Sequence, residues 1–273
     1  MLGREVWGWR LLAVLLILLL APTIPQLGIL ENEWRESINS PADDGEIQVG
    51  DDTDYPPNEE EDIAVKTDEN GSLIWKKEFG NEGNNLGNSV IETPYSYMIC
   101  GALNENSTII KLSKLDGSLL FKETTNNGGN DAYEDLILTS TGIVAIGYVN
   151  AKDHTNTFYT GGEGYISFLD SNGIKKVGKN INQYISQAYK IKTFNNELYI
   201  SGLTENANDY GLIKMDSIGN IIWNKKYGGS SADHCFGMDL GVDGSVFLTG
   251  HTLSGTENWD TYTIKINSSG SQI

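Results

Sequence analysis

Short runs of alternating hydrophobic and polar residues fill the chain from about residue 62 to its end. Residues 211–215 and 262–266 show the clearest period of two, the spacing of a β-strand with one buried and one solvent-facing side. After residue 31, no stretch places hydrophobic residues at the spacing of an amphipathic helix. The pattern therefore predicts an all-β protein made of short strands.

These strands belong to a repeat unit that occurs in four complete copies and one incomplete fifth copy. In each copy one strand leads into a turn that contains Asp or Asn and ends in Gly, and a second strand follows. Asp and Asn bond their own backbone in such turns, and Gly adopts the positive φ that other residues resist. The turn glycines are Gly71, Gly117, Gly173, Gly219 and Gly270, at intervals of 46, 56, 46 and 51 residues.

The strand after each turn contains a repeat position that is aromatic in three of the four complete copies. These residues are Trp75, Phe121 and Trp223, and the remaining copy has Val177. Burying such a ring is worth roughly 1.5–3 kcal/mol, so we expect it to hold one unit against the next. A second series of glycines closes a later strand in each unit, where we expect strand backbones to crowd. That series is Gly101, Gly147, Gly202 and Gly250.

Four short strands in a unit of about 46–56 residues are typical of a β-propeller blade. We therefore predict four-stranded antiparallel blades, about four to five in number. A parallel β-helix is the alternative, but its coils are typically shorter. If each blade ends with the tryptophan hairpin, whole blades span about 86–123, 132–178, 187–226 and 235–273, and the hairpin 63–79 is left over. This count predicts an incomplete ring or part of a longer propeller, with exposed strand edges.

Two segments precede the repeats, which are predicted to occupy residues 62–273. Arg4 and Arg10 come before the hydrophobic run 11–20, so residues 1–30 are predicted to be a secretory signal peptide or a signal anchor. Either one exports the repeats, which would be secreted or held on the outer side of the cytoplasmic membrane.

Residues 31–61 are predicted to be a disordered acidic linker. Thirteen acidic residues and one basic residue fall within 31–62, and the whole chain has a formal net charge of −18. Such a charge disfavours nucleic acid as a partner, because phosphates would be repelled. Contact with a membrane is expected only through the N-terminal segment.

The histidines and cysteines do not form a recognisable reactive site. His154 has Asp153 beside it but no second metal ligand at a familiar spacing. The residues of the trio 233–235, Asp-His-Cys, are contiguous, so a strand would send neighbouring side chains to opposite faces. Asp233 occupies the same turn position as Asp131, which predicts a backbone cap.

Cys100 and Cys235, the only cysteines, are predicted to be buried free thiols. Recognised nucleophile, zinc-protease and phosphate-binding motifs are missing from the sequence. We therefore predict no catalytic, cofactor-binding or metal-binding residues.

Residues 75–80 and 223–229 carry a resemblance to repeats of exported prokaryotic β-propeller proteins. Those repeats resemble Lys-x-Asp-x-x-Gly-x-x-x-Trp-x-x-x-Tyr/Phe-Gly-Gly, and the resemblance covers about residues 62–273. The hairpin is also distantly similar to the tryptophan motif of quinoprotein propellers, which bind pyrroloquinoline quinone. This chain has no Thr before the turn glycine and no adjacent cysteine pair, so no quinone cofactor is predicted.

These observations predict a non-catalytic propeller scaffold that binds a protein or a glycan. An exported propeller enzyme, quinoprotein-like or carbohydrate-active, with its site completed by further blades, is the alternative. A purely structural envelope component is a third hypothesis.

Overall fold

The computed structural model describes residues 45–51, 62–80, 85–152, 162–204, 209–255 and 258–273. The predicted leader, most of the predicted linker and His154 lie outside these ranges. Strands and turns make up the described residues, and none of them forms a helix that could cross a membrane.

Eighteen strands form five antiparallel sheets in the described part of the chain, each a meander in sequence order. Sheet A contains β1 (Ile47–Asp51), β2 (Asp62–Thr67) and β3 (Leu73–Phe79). Sheet B contains β4 (Leu86–Glu92), β5 (Ser96–Leu103), β6 (Asn106–Ser113) and β7 (Leu119–Thr125). Sheet C contains β8 (Asn130–Thr139), β9 (Gly142–Ala151), β10 (Glu163–Leu169) and β11 (Lys175–Asn180). Sheet D contains β12 (Gln187–Phe194), β13 (Glu197–Leu203), β14 (Tyr210–Met215) and β15 (Ile221–Tyr227). Sheet E contains β16 (Asp233–Leu240), β17 (Val246–Thr252) and β18 (Asp260–Ile266).

Each sheet packs face to face against the next sheet along the chain. Between sheets C and D, for example, Val144, Ile146 and Ile166 meet Ile200 and Ile213 in a buried cluster. Similar clusters lie between A and B, B and C, and D and E. Among the described residues, none of these clusters joins sheet E to sheet A. The core is thus divided into layers, one between each pair of consecutive sheets.

The turns between the third and fourth strands follow the predicted chemistry. In sheet C, Oδ1 of Asp170 accepts hydrogen bonds from the backbone N–H groups of Asn172 and Ile174, both at 3.0 Å. Gly173 has a φ of 91° and donates its N–H to the carbonyl oxygen of Asp170 at 2.9 Å. The bond to Lys176 and the two backbone bonds hold the pKa of Asp170 below its usual value.

The aromatic repeat residues lie against the glycine turn of the following sheet. A Cβ atom added to Gly117 would be 2.7 Å from Cε3 of Trp75. Phe121 approaches Gly173 in the same way, and Trp223 approaches Gly270. Val177 is exposed, and Phe168 of the neighbouring strand takes the equivalent place against Gly219. A Cβ atom added to Gly71, in the turn of sheet A, would have no other atom within 4 Å.

The blade limits agree with the division in which each blade ends with the tryptophan hairpin. Sheets B, C and D are complete four-stranded blades over residues 86–125, 130–180 and 187–227.

The leftover hairpin 63–79 gains a third strand, β1, from within the predicted linker. The expectation of disorder is therefore wrong for residues 47–51. Ile47 and Val49 pack against the buried cluster between sheets A and B that contains Ala64 and Trp75, and this contact stabilises the strand.

Candidate functional site

The first strand of sheets B, C, D and E contains a β-bulge beside the glycine of the second series. In sheet D, for example, Ala188 pairs with Gly202 and Lys190 with Ser201, so Tyr189 is the extra residue. A Cβ on Gly202 would lie far inside van der Waals contact with the carbonyl oxygen of Gln187, and this is why the position requires glycine. A bulge redirects its side chain away from the ladder. We call the four extra residues the bulge row: Asn88, Glu134, Tyr189 and Phe236.

Members of the bulge row lie near one another across neighbouring sheets. Nδ2 of Asn88 donates to the carbonyl oxygen of Tyr133 at 2.9 Å, next to Glu134. The rings of Tyr189 and Phe236 meet edge to face, with centroids 5.3 Å apart. The row therefore passes from polar side chains in sheets B and C to aromatic ones in sheets D and E.

Glu134 is the one carboxylic acid of the bulge row, and its pKa is strongly shifted. Burial raises its pKa to about 7, the positive charge of Lys190 opposes that rise, and the negative charge of Asp135 adds to it. A carboxylic acid that changes protonation near neutral pH is suited to donate or accept a proton. Glu134 is therefore the candidate acid or base of the bulge row.

Asp135, the next residue, has a structural role. Its Oδ1 accepts a hydrogen bond from Oγ of Ser89 at 2.8 Å, and its Oδ2 accepts one from the backbone N–H of Ile191 at 3.1 Å. These bonds connect sheets B, C and D through one buried carboxylate. Because its oxygens are engaged in these bonds, Asp135 is not placed for chemistry itself.

A cluster of histidine and aromatic rings lies at the sheet E end of the bulge row. His234 and His251 are directly opposite each other in the antiparallel ladder, with His234 Nδ1 and His251 Nε2 3.1 Å apart. The ring centroid of Trp259 is 4.6 Å from that of His234 and 4.3 Å from that of His251. Phe236 packs edge to face against both imidazoles. We call His234, Phe236, His251 and Trp259 the histidine cluster.

The histidine cluster is open to solvent on one side. His234 is 6% exposed, whereas Trp259 is 43% exposed. Burial lowers the pKa of His251, so its imidazole is neutral at pH 7. The cluster therefore offers an aromatic surface on which the His251 imidazole is uncharged.

The trio Asp233, His234 and Cys235 is not assembled into a catalytic group. Asp233 Oδ2 accepts bonds from the N–H of Gly229 at 2.6 Å and from Oγ of Ser254 at 3.2 Å, in the role of a turn cap. Cys235 is buried in the core between sheets D and E, and burial raises its pKa to about 12, so its thiolate is not available. Of the three, only His234 joins the histidine cluster.

Asp131 caps the equivalent loop in sheet C. Its carboxylate accepts bonds from the backbone N–H groups of Asn127 at 2.7 Å and Asn150 at 2.8 Å. Cys100 is buried and not bonded to Cys235, as predicted. Within the described ranges, no three His, Cys, Asp or Glu side chains are grouped so that they could hold a metal ion.

The bulge row and the pairing of the two histidines were missed in the sequence, although aligning the units would have indicated both. Counted from the second-series glycine, His251 occupies the position of Ala102, Tyr148 and Leu203. His234 likewise occupies the position of Leu86, Ala132 and Gln187. Only a position-by-position comparison shows that both partners are histidine in one unit.

No protein-family model and no curated protein matches the chain. Among solved structures, a putative 6-phosphogluconolactonase from Bacteroides uniformis aligns with a TM-score of 0.51 at 12% identity, over 85% of this chain and 68% of that one. A quinohemoprotein alcohol dehydrogenase from Comamonas testosteroni aligns with a TM-score of 0.49 at 11% identity, over 79% of this chain. This chain spans 41% of that protein's length.

At these identities the likeness concerns the fold alone. Together with the five antiparallel sheets, it confirms the predicted fold class, an all-β, propeller-like architecture of four-stranded blades. Membership of the exported prokaryotic repeat proteins stays a prediction.

Proposed function

We propose that this protein is a non-catalytic propeller scaffold that binds a protein or glycan ligand at the histidine cluster. The observation that carries the proposal is the continuous ring surface from Tyr189 through Phe236 to the partly exposed Trp259. Exposed aromatic side chains held by their neighbours give a ligand a large contact area at a small cost in conformational entropy.

The place of action is part of the same proposal. The basic and hydrophobic leader supports a protein that is secreted or anchored on the outer side of the cytoplasmic membrane. The acidic charge supports ligands other than nucleic acid.

Glycan-array binding by the purified protein tests this proposal, with Trp259→Ala as the informative variant. Removing the ring should lower the binding of any recognised glycan at least tenfold. Tyr95→Ala is the matched control, because Tyr95 is 68% exposed in a turn of sheet B, away from the cluster. Equal loss in both variants, or binding that does not depend on Trp259, would contradict the proposed site. For a protein ligand, the same pair of variants is compared in a binding assay with the purified partner.

An exported propeller enzyme is the second candidate, and Glu134 is the observation in its favour. A carboxylic acid with a pKa of about 7 beside Lys190 can act as a general acid or base on a carbohydrate. A screen for glycoside cleavage should then show activity that depends on pH near 7 and is lost in Glu134→Gln. Quinone absorbance after reconstitution tests the quinoprotein-like form. Activity that survives the substitution unchanged would remove Glu134 from this role.

A further inference from the structure

The histidine pair in sheet E differs from the other sheets at a position where the fold does not require histidine. In the same ladder position, sheet B has the pair Leu86–Ala102, sheet C has Ala132–Tyr148, and sheet D has Gln187–Leu203. Each pair is buried or half-buried beside a bulge of the same kind. Side chains other than histidine therefore satisfy the packing of this position in three sheets, so packing alone does not explain two histidines.

The two imidazoles are close enough to each other to be ligands of one ion. His234 Nδ1 and His251 Nε2 are joined by a hydrogen bond of 3.1 Å, which a bound ion would replace, and the two side chains leave the same face of adjacent strands. An ion roughly 2.0–2.1 Å from each nitrogen would see them at an angle of about 100°. That angle lies between the square-planar and tetrahedral values and suits neighbouring ligands of a Cu²⁺, Ni²⁺ or Zn²⁺ ion.

The surroundings hold both imidazoles in place. Trp259 and Phe236 contact both rings, and the backbones of His234 and His251 are paired within one ladder. Ligands that are already oriented lose less conformational freedom when an ion binds. Because His251 and Trp259 lie on the solvent side, an ion can enter there and keep water in its remaining positions.

We propose that His234 and His251 form a surface-accessible site for a divalent transition-metal ion, with Cu²⁺ the tightest-binding of the class. Two imidazole nitrogens supply the protein ligands, and water completes the coordination. Imidazole favours copper, nickel and zinc over calcium and magnesium, and copper heads the affinity order for a given set of nitrogen ligands. The metal site lies within the histidine cluster, but it does not rest on the proposed glycan or protein ligand, since it needs only the two histidines.

The test is a Cu²⁺ titration of the full-length protein purified without a polyhistidine tag. Tryptophan fluorescence should be quenched as Cu²⁺ binds, because Trp259 contacts both imidazoles. The electron paramagnetic resonance spectrum should show coupling to two imidazole nitrogens. His251→Gln should reduce this to one nitrogen and weaken Cu²⁺ binding at least tenfold.

Two variants keep the test decisive. His234→Leu combined with His251→Ala copies the Leu86–Ala102 pair of sheet B, so it should fold and lose the site. His154→Ala removes the only other histidine and should leave Cu²⁺ binding unchanged. Circular dichroism reports whether each variant is folded. If the double variant binds Cu²⁺ as tightly as the wild type, or if the wild-type spectrum shows fewer than two imidazole nitrogens, the proposal is wrong.

Discussion

Two sheet faces with the same repeat positions differ in burial. The face of sheet C that packs against sheet D is buried, whereas the equivalent face of sheet E is exposed. In sheet C, Val144, Ile146 and Ile166 are buried against sheet D. The equivalent residues of sheet E are Phe247, Thr249 and Thr263, and all three are exposed. Thr249 and Thr263 are bonded to each other through their hydroxyl groups at 2.8 Å.

Sheet A shows the same contrast on its opposite side. Ile143 and Ala145 of sheet C are buried against sheet B, whereas Glu46 and Gln48, their equivalents in sheet A, are exposed. The two strands that carry these positions pair in the same antiparallel register in sheets A, C and E. Whether a repeat position is hydrophobic therefore follows from the neighbour that it faces and not from the strand that it belongs to.

The largest expected difference between the inner and end sheets concerns glycine. Gly202→Ala should destabilise the protein by about 3 kcal/mol or more, because its Cβ would overlap the carbonyl oxygen of Gln187. Gly50→Ala should change the free energy of unfolding by less than about 0.5 kcal/mol, since nothing lies within 4 Å of that point. Urea unfolding followed by circular dichroism measures both. Equal effects would show that the backbone at Gly50 is as crowded as at Gly202.

Placing the side chain of an end face on an inner face, and the reverse, should change the free energy of unfolding somewhat less than the glycine substitutions do. Ile166→Thr buries a hydroxyl group and removes a methyl group between sheets C and D, at an expected loss of about 2–3 kcal/mol. The reverse change at the exposed equivalent, Thr263→Ile, should stay within about 0.5 kcal/mol. Thermal unfolding of both variants gives the comparison. A similar loss in Thr263→Ile would mean that the outward face of sheet E is packed in solution.

The pH dependence of stability that Glu134 causes measures how far an inner sheet excludes water from this side chain. Its pKa is raised from 4.5 to about 7, so the folded protein holds this proton more tightly than the unfolded chain. Stability from this group is complete below pH 4.5 and falls as the pH rises towards 7, by about 1–3 kcal/mol. Glu134→Gln should abolish that fall, which unfolding measured at about pH 5 and about pH 8 would show. If the wild type has the same dependence as the variant, Glu134 is well solvated.

The smallest difference is expected at the turn aspartates, which are alike in inner and end sheets. Hydrogen bonds from the following backbone hold the pKa of Asp68 in sheet A and of Asp216 in sheet D below 3.8. A lowered pKa means that their contribution is present above about pH 4 and is lost as the pH falls through the folded-state pKa. Asp68→Asn and Asp216→Asn should therefore weaken the dependence of stability on pH below about 4 to a similar extent. Acid titration monitored by tryptophan fluorescence checks this, and an effect confined to one sheet would show that the turns are not equivalent.

Local chemistry explains which parts of the fold were predictable. Alternation with period two, the Asp/Asn-containing turns that end in glycine and the aromatic repeat position depend on near neighbours in the chain, so they are visible in the sequence. The strand β1 was not predicted, because the acidic composition of residues 31–61 indicated disorder and the hydrophobic alternation within it is short. Gly45, Ile47, Val49 and Gly50 nevertheless match Gly142, Val144, Ile146 and Gly147 when β2 and β10 are aligned.

The all-β architecture, the repeat of short strands and the turns between them can be predicted from the amino-acid sequence, because they follow from side-chain period and backbone preference. The bulge row and the pairing of His234 with His251 become visible once the strands are paired in space. The reason is physical: register across a ladder and packing between sheets join residues far apart in the chain, and a bulge shifts a side chain without changing the local pattern.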